Sequence, residues 1–201
     1  MKKKFIEKSF NLIKQNKSVN ELEEKKLRYG LEGFYNVAVK TIVMFILAVI
    51  LDIVPEYILL ILIYSSLRLY GFGIHMKTST QCWFTTVPIY IGGCFLMKYV
   101  TFSSSIALIV WFFGFLSFLL FAPADTPARP LIHPEKRKRA KILSLLILSS
   151  YFIFFYCIQS ALVKNIILYG VIMESISINP IVYKLFHTPF NNYKSFVKTT
   201  V

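Results

Sequence analysis

The sequence lacks several of the motifs on which familiar classes of enzyme depend. Its eight glycines form no phosphate-binding loop or nucleotide motif, so nothing indicates coupling to ATP. Three cysteines, an odd number, exclude a framework of fully paired disulfides. A histidine and a cysteine that lie near each other have no further Cys, His or carboxylate close by, which makes a poor zinc site. The sequence therefore predicts no cofactor and no metal.

Acidic residues are also scarce, with 10 Asp and Glu against 23 Lys and Arg, which gives a net charge of +13. A charge of this size can indicate nucleic acid, but no basic stripe is interleaved with stacking aromatic residues. The basic residues instead cluster in the first 28 residues and between Arg129 and Lys141, beside apolar blocks. Such clusters mark cytoplasmic segments and attract anionic lipid headgroups. The sequence therefore predicts a lipid bilayer with anionic headgroups as a partner, and it predicts no binding of nucleic acid.

Long apolar blocks dominate the chain, of which 56% is hydrophobic. A helix needs roughly 20 predominantly apolar residues to cross a bilayer. The first two blocks flank Asp52 and Glu56, and form either a tight hairpin or one tilted span; the cost of carboxylates at mid-bilayer favours the hairpin. The predicted fold is all-α, a polytopic membrane bundle of about six transmembrane segments within a range of four to six. The candidate spans are 37–51, 57–70, 83–100, 102–121, 142–162 and 165–178.

The charge pattern also predicts how the chain is organised. Residues 1–35 form a basic, amphipathic cytoplasmic region without a cleavable signal peptide, in which Ser18 to Glu21 matches a helix capping box. Residues 36–178 form the membrane domain, and residues 179–201 form a cytoplasmic tail. The basic residues predict that the N-terminus and the loop 122–141 are both cytoplasmic, so an even number of spans, four, lies between them. The polar segment 68–82 follows two of these spans and is therefore also predicted to be cytoplasmic.

The polar segment 68–82 contains the candidate catalytic residues, His75 and Cys82. A nearby histidine can take the thiol proton and later return it to a leaving amine. Seven residues of continuous helix would separate the two side chains by about 10 Å along the axis, which is too far for direct transfer. The segment is therefore predicted to bend between them, or to place His75 on a loop while Cys82 begins the next helix. In the second arrangement, Thr78 to Thr80 would supply the cap, and the helix N-terminus would favour the thiolate.

Three other polar residues admit two interpretations each. Arg68 either acts at the site, by orienting it or by contacting an acidic segment of the substrate, or extends to the membrane interface. Gln81 either acts at the site, by polarising a carbonyl or by orienting His75, or is an ordinary polar residue at a helix start. Asp125 either completes a triad with a histidine or begins a turn.

Five residues resemble, in order and spacing, the pattern of the AgrB family of membrane-embedded cysteine endopeptidases of Gram-positive quorum sensing: Arg68, Gly71, Gly73, His75 and Cys82. The proline-punctuated segment 122–130 is similar to the loop that follows the central spans in that family. The segment 29–32 before the first span is also similar. The resemblance covers nearly the whole chain in size, span order and charge layout.

The resemblance implies an enzyme that cuts an AgrD-like precursor peptide. Cys82 would attack the carbonyl at the start of the precursor's C-terminal tail and hold the peptide as a thioester, with His75 acting as base and then acid. An internal cysteine or serine of the precursor would then close a thiolactone or lactone ring. The resemblance further implies a homodimer in the cell membrane of a Gram-positive bacterium. The alternatives are a small membrane transporter or a non-enzymatic membrane scaffold.

Overall fold

The computed structural model describes residues 2–16, 20–76, 78–127 and 130–194. Every regular element in these ranges is a helix, which confirms the all-α prediction. The chain divides into two compact units, residues 1–50 and residues 51–201.

The first unit consists of helices α1 (Lys2–Asn16) and α2 (Glu21–Ile50). The two helices pack together through the rings of Phe5 and Tyr35, whose centroids are 5.3 Å apart, and through an ion pair between Lys2 and Glu32. The amphipathic N-terminal stretch therefore packs its aromatic residues within the unit.

The start of α2 differs from the predicted capping box. Ser18 lies outside the described residues, and the reciprocal cap is made by Asn20 and Glu23. The amide of Glu23 donates to Asn20 Oδ1 (2.9 Å), and the amide of Asn20 donates to Glu23 Oε2 (3.2 Å). From this cap α2 continues without a break through residue 35 to Ile50, so the predicted cytoplasmic region runs into the first apolar block as one helix.

The second unit contains the other helices: α3 (Val54–Gly71), α4 (Ser79–Val87), a π-helical turn (Pro88–Gly92), α5 (Gly93–Tyr99), α6 (Ser104–Phe121), α7 (Pro134–Cys157), α8 (Ala161–Ser177) and α9 (Pro180–Leu185). Helix α3 packs against α7 and α8, and α6 packs against the same two helices. The core lies among these four helices and includes Leu60, Leu67, Trp111, Leu148 and Ile167.

Helices α4 and α5 join through the π-helical turn into one continuous rod. Pro88 lacks an amide hydrogen and cannot donate the regular helical bond, and π turns commonly occur at such interruptions. The carbonyl of Ile89 in this turn accepts a hydrogen bond from the hydroxyl of Tyr169 on α8 (2.8 Å). The rod is thereby fixed to the core, and with it the residues at the start of α4.

The helix is interrupted between the first two apolar blocks, because α2 ends at Ile50 and α3 begins at Val54, and the hairpin stays a prediction. Asp52 lies between them with a φ of 53°. Its carbonyl accepts a hydrogen bond from Lys98 Nζ (2.7 Å), at the end of α5. The turn before α3 and the end of α5 therefore lie at the same end of the second unit.

Three helices in the described residues are long and apolar enough to cross a membrane: Glu21–Ile50, Ser104–Phe121 and Pro134–Cys157. This supports a membrane protein, but the predicted number of about six transmembrane segments is not confirmed. Helices α3 and α8 and the α4–α5 rod correspond to the other predicted spans.

The basic loop predicted over 122–141 is partly helical. Residues 134–141 form the first turns of α7, because Pro134 suits the beginning of a helix and the lysines and arginines that follow are good helix formers. The predicted tail is also structured over its described part, where α9 packs its Tyr183 into the second unit.

Candidate functional site

His75 and Cys82 lie on different elements at one end of the second unit. His75 is exposed on the non-helical segment that follows α3. Cys82 is half-buried in the first turn of α4, where its amide donates to the carbonyl of Thr78 (3.1 Å). Thr78 caps the helix, since its hydroxyl accepts a hydrogen bond from the amide of Gln81 (3.2 Å). Of the two predicted arrangements, the structure has the one with the histidine on a loop and the cysteine at a helix start.

The thiol of Cys82 is not in a disulfide and lies beside Thr86, one turn along α4. The Thr86 hydroxyl donates to the carbonyl of Cys82, and its oxygen is 3.8 Å from Cys82 Sγ. With the hydroxyl hydrogen directed at the carbonyl, the oxygen is available to accept from the thiol. Thr86 is thus placed to orient the thiol hydrogen while Cys82 is protonated.

Backbone hydrogen bonds hold the turn just before His75. The amide of Gly73 donates to the carbonyl of Ala124 (3.0 Å), and the amide of Ala124 donates to the carbonyl of Gly71 (2.9 Å). The amide of Ile74 donates to the carbonyl of Ser177 at the end of α8 (2.9 Å). The segment that leads into His75 is therefore bonded to both the proline-rich loop and the end of α8.

Arg68 is directed toward other residues of the second unit. Its Nη1 donates to the hydroxyl of Tyr64 (2.8 Å) and to Ser177 Oγ (3.2 Å), and its Nη2 donates to the carbonyl of Ile74. Glu174 on α8 forms an ion pair with it at 3.8 Å, and the carboxylate side chain is fully buried. These contacts hold the guanidinium against α8 and the turn before His75, and the orienting role of Arg68 stays a prediction.

The two glycines of the segment are explained by close approach to α8. A Cβ atom on Gly71 would lie 2.5 Å from Glu174 Oε1. A Cβ atom on Gly73 would overlap Ser177 Oγ and lie 3.0 Å from Arg68 Nη1. Gly73 also has a φ of +93°, which side-chain-bearing residues rarely adopt. Gly73 therefore requires glycine for its backbone conformation, whereas a side chain at Gly71 would displace the Glu174 carboxylate.

Asp125 is completely buried in the proline-rich loop, where its contacts are structural. Its Oδ2 accepts hydrogen bonds from the amides of Leu131 (3.2 Å) and Tyr193 (3.0 Å), and its Oδ1 lies 3.6 Å from Arg137 Nη1. These contacts support the interpretation that Asp125 organises a turn. Gln81 is exposed, and its predicted role toward a substrate carbonyl stays a prediction.

The chain after α8 covers this loop. The hydroxyl of Tyr183 donates to the carbonyl of Ala124 (2.9 Å), and the guanidinium of Arg137 lies 3.6 Å from the centre of the Tyr193 ring. Burial raises the pKa of Tyr183, so its hydroxyl remains a donor at neutral pH. The C-terminal segment therefore fixes Ala124, which in turn is bonded to the turn before His75.

Sequence reasoning missed Glu174, Ser177 and Thr86. A signal for Glu174 was present, since it is the single acidic residue of the last apolar block, and an ionisable residue in such a block indicates a specific partner. Within the described ranges, no group of three His, Cys, Asp or Glu side chains is arranged to hold a metal ion.

The geometry can be compared with known proteins. The AgrB family model, described as accessory gene regulator B, matches residues 6–178. The chain belongs to the AgrB family. An AgrB-like protein of Listeria innocua is 30% identical over 174 residues, which cover 85% of this chain and 84% of that protein. The accessory gene regulator protein B of Staphylococcus intermedius is 29% identical over 176 residues, with 88% and 93% covered.

Another AgrB-like protein, from Clostridium acetobutylicum, is 28% identical over 193 residues, which cover 93% of this chain and 90% of that protein. No solved structure matches the chain. The family match includes His75, Cys82, Arg68 and Glu174, whereas α9 and the residues that cover the proline-rich loop lie beyond it. Family membership supports a part in accessory gene regulator and quorum-sensing peptide processing.

Proposed function

We propose that this chain is a membrane-integral cysteine endopeptidase that removes the C-terminal tail of a small AgrD-like precursor and allows the remaining peptide to cyclise. The observation that carries the proposal is the placement of His75 and Cys82. The histidine lies on a loop held to the bundle, and the cysteine lies in the capped first turn of a helix at the same end of the second unit.

The reaction proceeds in two acyl transfers. His75 takes the thiol proton, and the Cys82 thiolate attacks the carbonyl at the start of the precursor's tail. The amide bond breaks, a thioester forms on Cys82, and His75 gives its proton to the amine of the leaving tail. The thiol or hydroxyl of an internal cysteine or serine of the precursor then attacks the thioester. This step closes the ring, transfers the nucleophile's proton to Cys82 through His75, and releases the peptide.

The position of the site at one end of an apolar bundle suits this chemistry. Water competes with the internal nucleophile for the thioester, and exclusion of water from a site at the membrane edge favours ring closure. The start of α4 contributes a further effect, because the partial positive charge at a helix N-terminus stabilises a nearby anion such as a thiolate.

The setting of the reaction follows from the charges. The basic first turns of α7 and the lysines of α1 favour a cytoplasmic position for these segments, against anionic headgroups, in the cell membrane of a Gram-positive bacterium. The site lies at the end of the second unit from which α7 begins, so it faces the cytoplasm as well. The working form that the family suggests is a homodimer.

The experiment that tests this function is intact-mass analysis of the purified protein in liposomes with an AgrD-like precursor peptide. The wild type is compared with Cys82→Ala and His75→Ala. We expect a covalent adduct with the mass of the precursor minus its tail, absent from Cys82→Ala and strongly reduced in His75→Ala. Cleavage that survives Cys82→Ala would overturn the site, and a precursor that never reacts would favour the transporter or scaffold.

A further inference from the structure

We propose that Glu174 and Ser177, at the C-terminal end of α8, are positioning residues that fix His75 by holding the turn from Phe72 to Ile74. The inference rests on the proposed function, in which His75 is the base. It assigns a role to two residues more than 90 positions further along the chain than Cys82, and neither of them is at the reacting atoms.

The point of attachment is Ile74, the residue immediately before His75. Its side chain is buried, with 7% of the residue exposed, whereas His75 is exposed. Both of its backbone polar groups are engaged, since its amide donates to the carbonyl of Ser177 and its carbonyl accepts from Arg68 Nη2. The chain therefore leaves the bundle at a fixed point, and His75 is the first residue beyond it.

A directed series of hydrogen bonds connects Glu174 to that point. The Ser177 hydroxyl donates to Glu174 Oε2 (2.8 Å), which leaves the Ser177 oxygen free to accept from Arg68 Nη1 (3.2 Å). The same guanidinium reaches the Ile74 carbonyl with its other terminal nitrogen. Because a guanidinium is planar and rigid, fixing one nitrogen also fixes the other. Ser177 and Glu174, together with the hydroxyl of Tyr64, therefore set the orientation of Arg68 toward Ile74.

Charge makes this arrangement depend on Glu174. The Arg68 side chain is 23% exposed and the Glu174 side chain 0% exposed, and their closest charged atoms are 3.8 Å apart. A guanidinium that loses its carboxylate partner in such a setting is strongly penalised and is drawn toward solvent. The end of α3 offers solvent a short distance away, so an unpaired Arg68 would turn outward and release the Ile74 carbonyl.

The glycines complete the contact, because α8 approaches the turn where side chains would intervene. Gly71 leaves room for the Glu174 carboxylate, and Gly73 leaves room for the Ser177 hydroxyl. Two glycines two residues apart therefore face two polar residues three apart on the last turn of α8. The two glycines of the turn thus leave the space that the two polar side chains of α8 occupy.

The test compares Glu174→Gln and Ser177→Ala with matched controls in the full chain in liposomes. Glu56→Gln removes another buried carboxylate, at the opposite end of α3, and Ser144→Ala removes another buried hydroxyl, on α7. For Glu174→Gln we expect kcat for adduct formation to fall by about 10²-fold with little change in KM, because misplacement of a reacting group by about 1 Å costs this much. The kcat of Ser177→Ala should fall less, and both control variants should keep the wild-type kcat.

Hydrogen–deuterium exchange of residues 72–76 provides a measurement that does not require catalysis. The amides of Gly73 and Ile74, which are bonded to Ala124 and Ser177, should exchange several times faster in Glu174→Gln and keep their rates in Glu56→Gln. Unchanged exchange together with unchanged kcat in Glu174→Gln would overturn the positioning role. If exchange accelerates in Glu174→Gln but the wild type never reacts with precursor, the proposed function is contradicted, whereas the positioning of the turn by Glu174 stands.

A double variant separates positioning from stability. Replacing both partners, as Arg68→Met with Glu174→Met, removes the buried charges and is expected to restore the thermal stability that Glu174→Met alone loses. If the pair positions His75, kcat should stay low and exchange at Ile74 should stay fast in the double variant. Recovery of wild-type kcat in the double variant would show that the pair serves stability only.

Discussion

At the level of single residues, Gly73 is the position with the strictest steric requirement in the described site. A substitution to alanine meets two penalties, the positive φ and the overlap of its Cβ with Ser177 Oγ. Backbone strain of this kind costs about 1–3 kcal/mol. We expect Gly73→Ala to lower the thermal midpoint in detergent and to abolish measurable adduct formation, because the turn must move away from α8.

The matched control for this substitution is Gly92→Ala, since a Cβ at Gly92 meets no atom within 4 Å. That variant should keep both its thermal midpoint and its rate of adduct formation. Thermal scanning and intact mass measure both variants on the same preparation. A Gly73→Ala protein with wild-type behaviour would show that the turn is not held against α8 in the membrane.

The residue scale also shows where inference from sequence ends. His75, Cys82 and the two glycines could be identified because they lie within a few positions of one another in a polar gap. Glu174 and Ser177 could not be assigned to them, because the contact spans more than 100 positions and depends on how α8 packs against α3. A pattern along the chain reports local chemistry, whereas a buried ion pair between helices is a property of the packing.

Among the elements, α4 determines where the thiol lies, and its start depends on one side chain. The Thr78 hydroxyl accepts the amide hydrogen of Gln81, and removing such a cap costs about 1 kcal/mol. We expect Thr78→Ala to fray the first turn and to slow alkylation of Cys82, because the thiolate then loses the helix N-terminus that stabilises it. The rate is measured with a small thiol reagent in a Cys94→Ala, Cys157→Ser background, and Thr78→Ser should restore it.

A second capped helix supplies the control for this prediction. Ser103 caps α6 in the same way, accepting from the amide of Ile106, at the other end of the unit. Ser103→Ala should lower the thermal midpoint by about as much as Thr78→Ala does, without slowing the alkylation of Cys82. Equal alkylation rates in the two variants would mean that the cap of α4 contributes stability alone.

At the element scale, the helix start near Cys82 was predictable because caps are local, and so was the helix over most apolar blocks. The fusion of the N-terminal region with the first block into α2 was not predictable from polarity. Polarity changes near residue 35, but no residue there stops a helix. The helical form of residues 134–141 was missed for the same reason. A run of charge was interpreted as a loop, although lysine and arginine favour helix.

In the second unit as a whole, the segments that connect successive helices lie at two opposite ends. The segment 72–78 meets the proline-rich loop and the residues after α8, through the bonds of Gly73 and Tyr183 to Ala124. At the opposite end, Lys98 binds Asp52, and Asn165 near the start of α8 bonds to the carbonyls of Met97 and Val100. The prediction that 68–82 and 122–141 share a side of the membrane agrees with this arrangement.

Labelling from one side of the membrane measures which side this end of the second unit faces. Glu135 lies in the first turn of α7 and Gln159 lies just beyond its last residue; both are exposed, and the helix is free of charged residues from Ile142 to Cys157. In a background with all three native cysteines replaced, Glu135→Cys should resist a membrane-impermeant thiol reagent in intact cells and react after permeabilisation, because the basic start of α7 stays in the cytoplasm. Gln159→Cys should react in both conditions. If instead Glu135→Cys reacts from outside and Gln159→Cys does not, the site faces the exterior, and a cytoplasmic precursor could not reach Cys82. If both positions react from outside, α7 does not cross the membrane, and the bundle must lie on the surface.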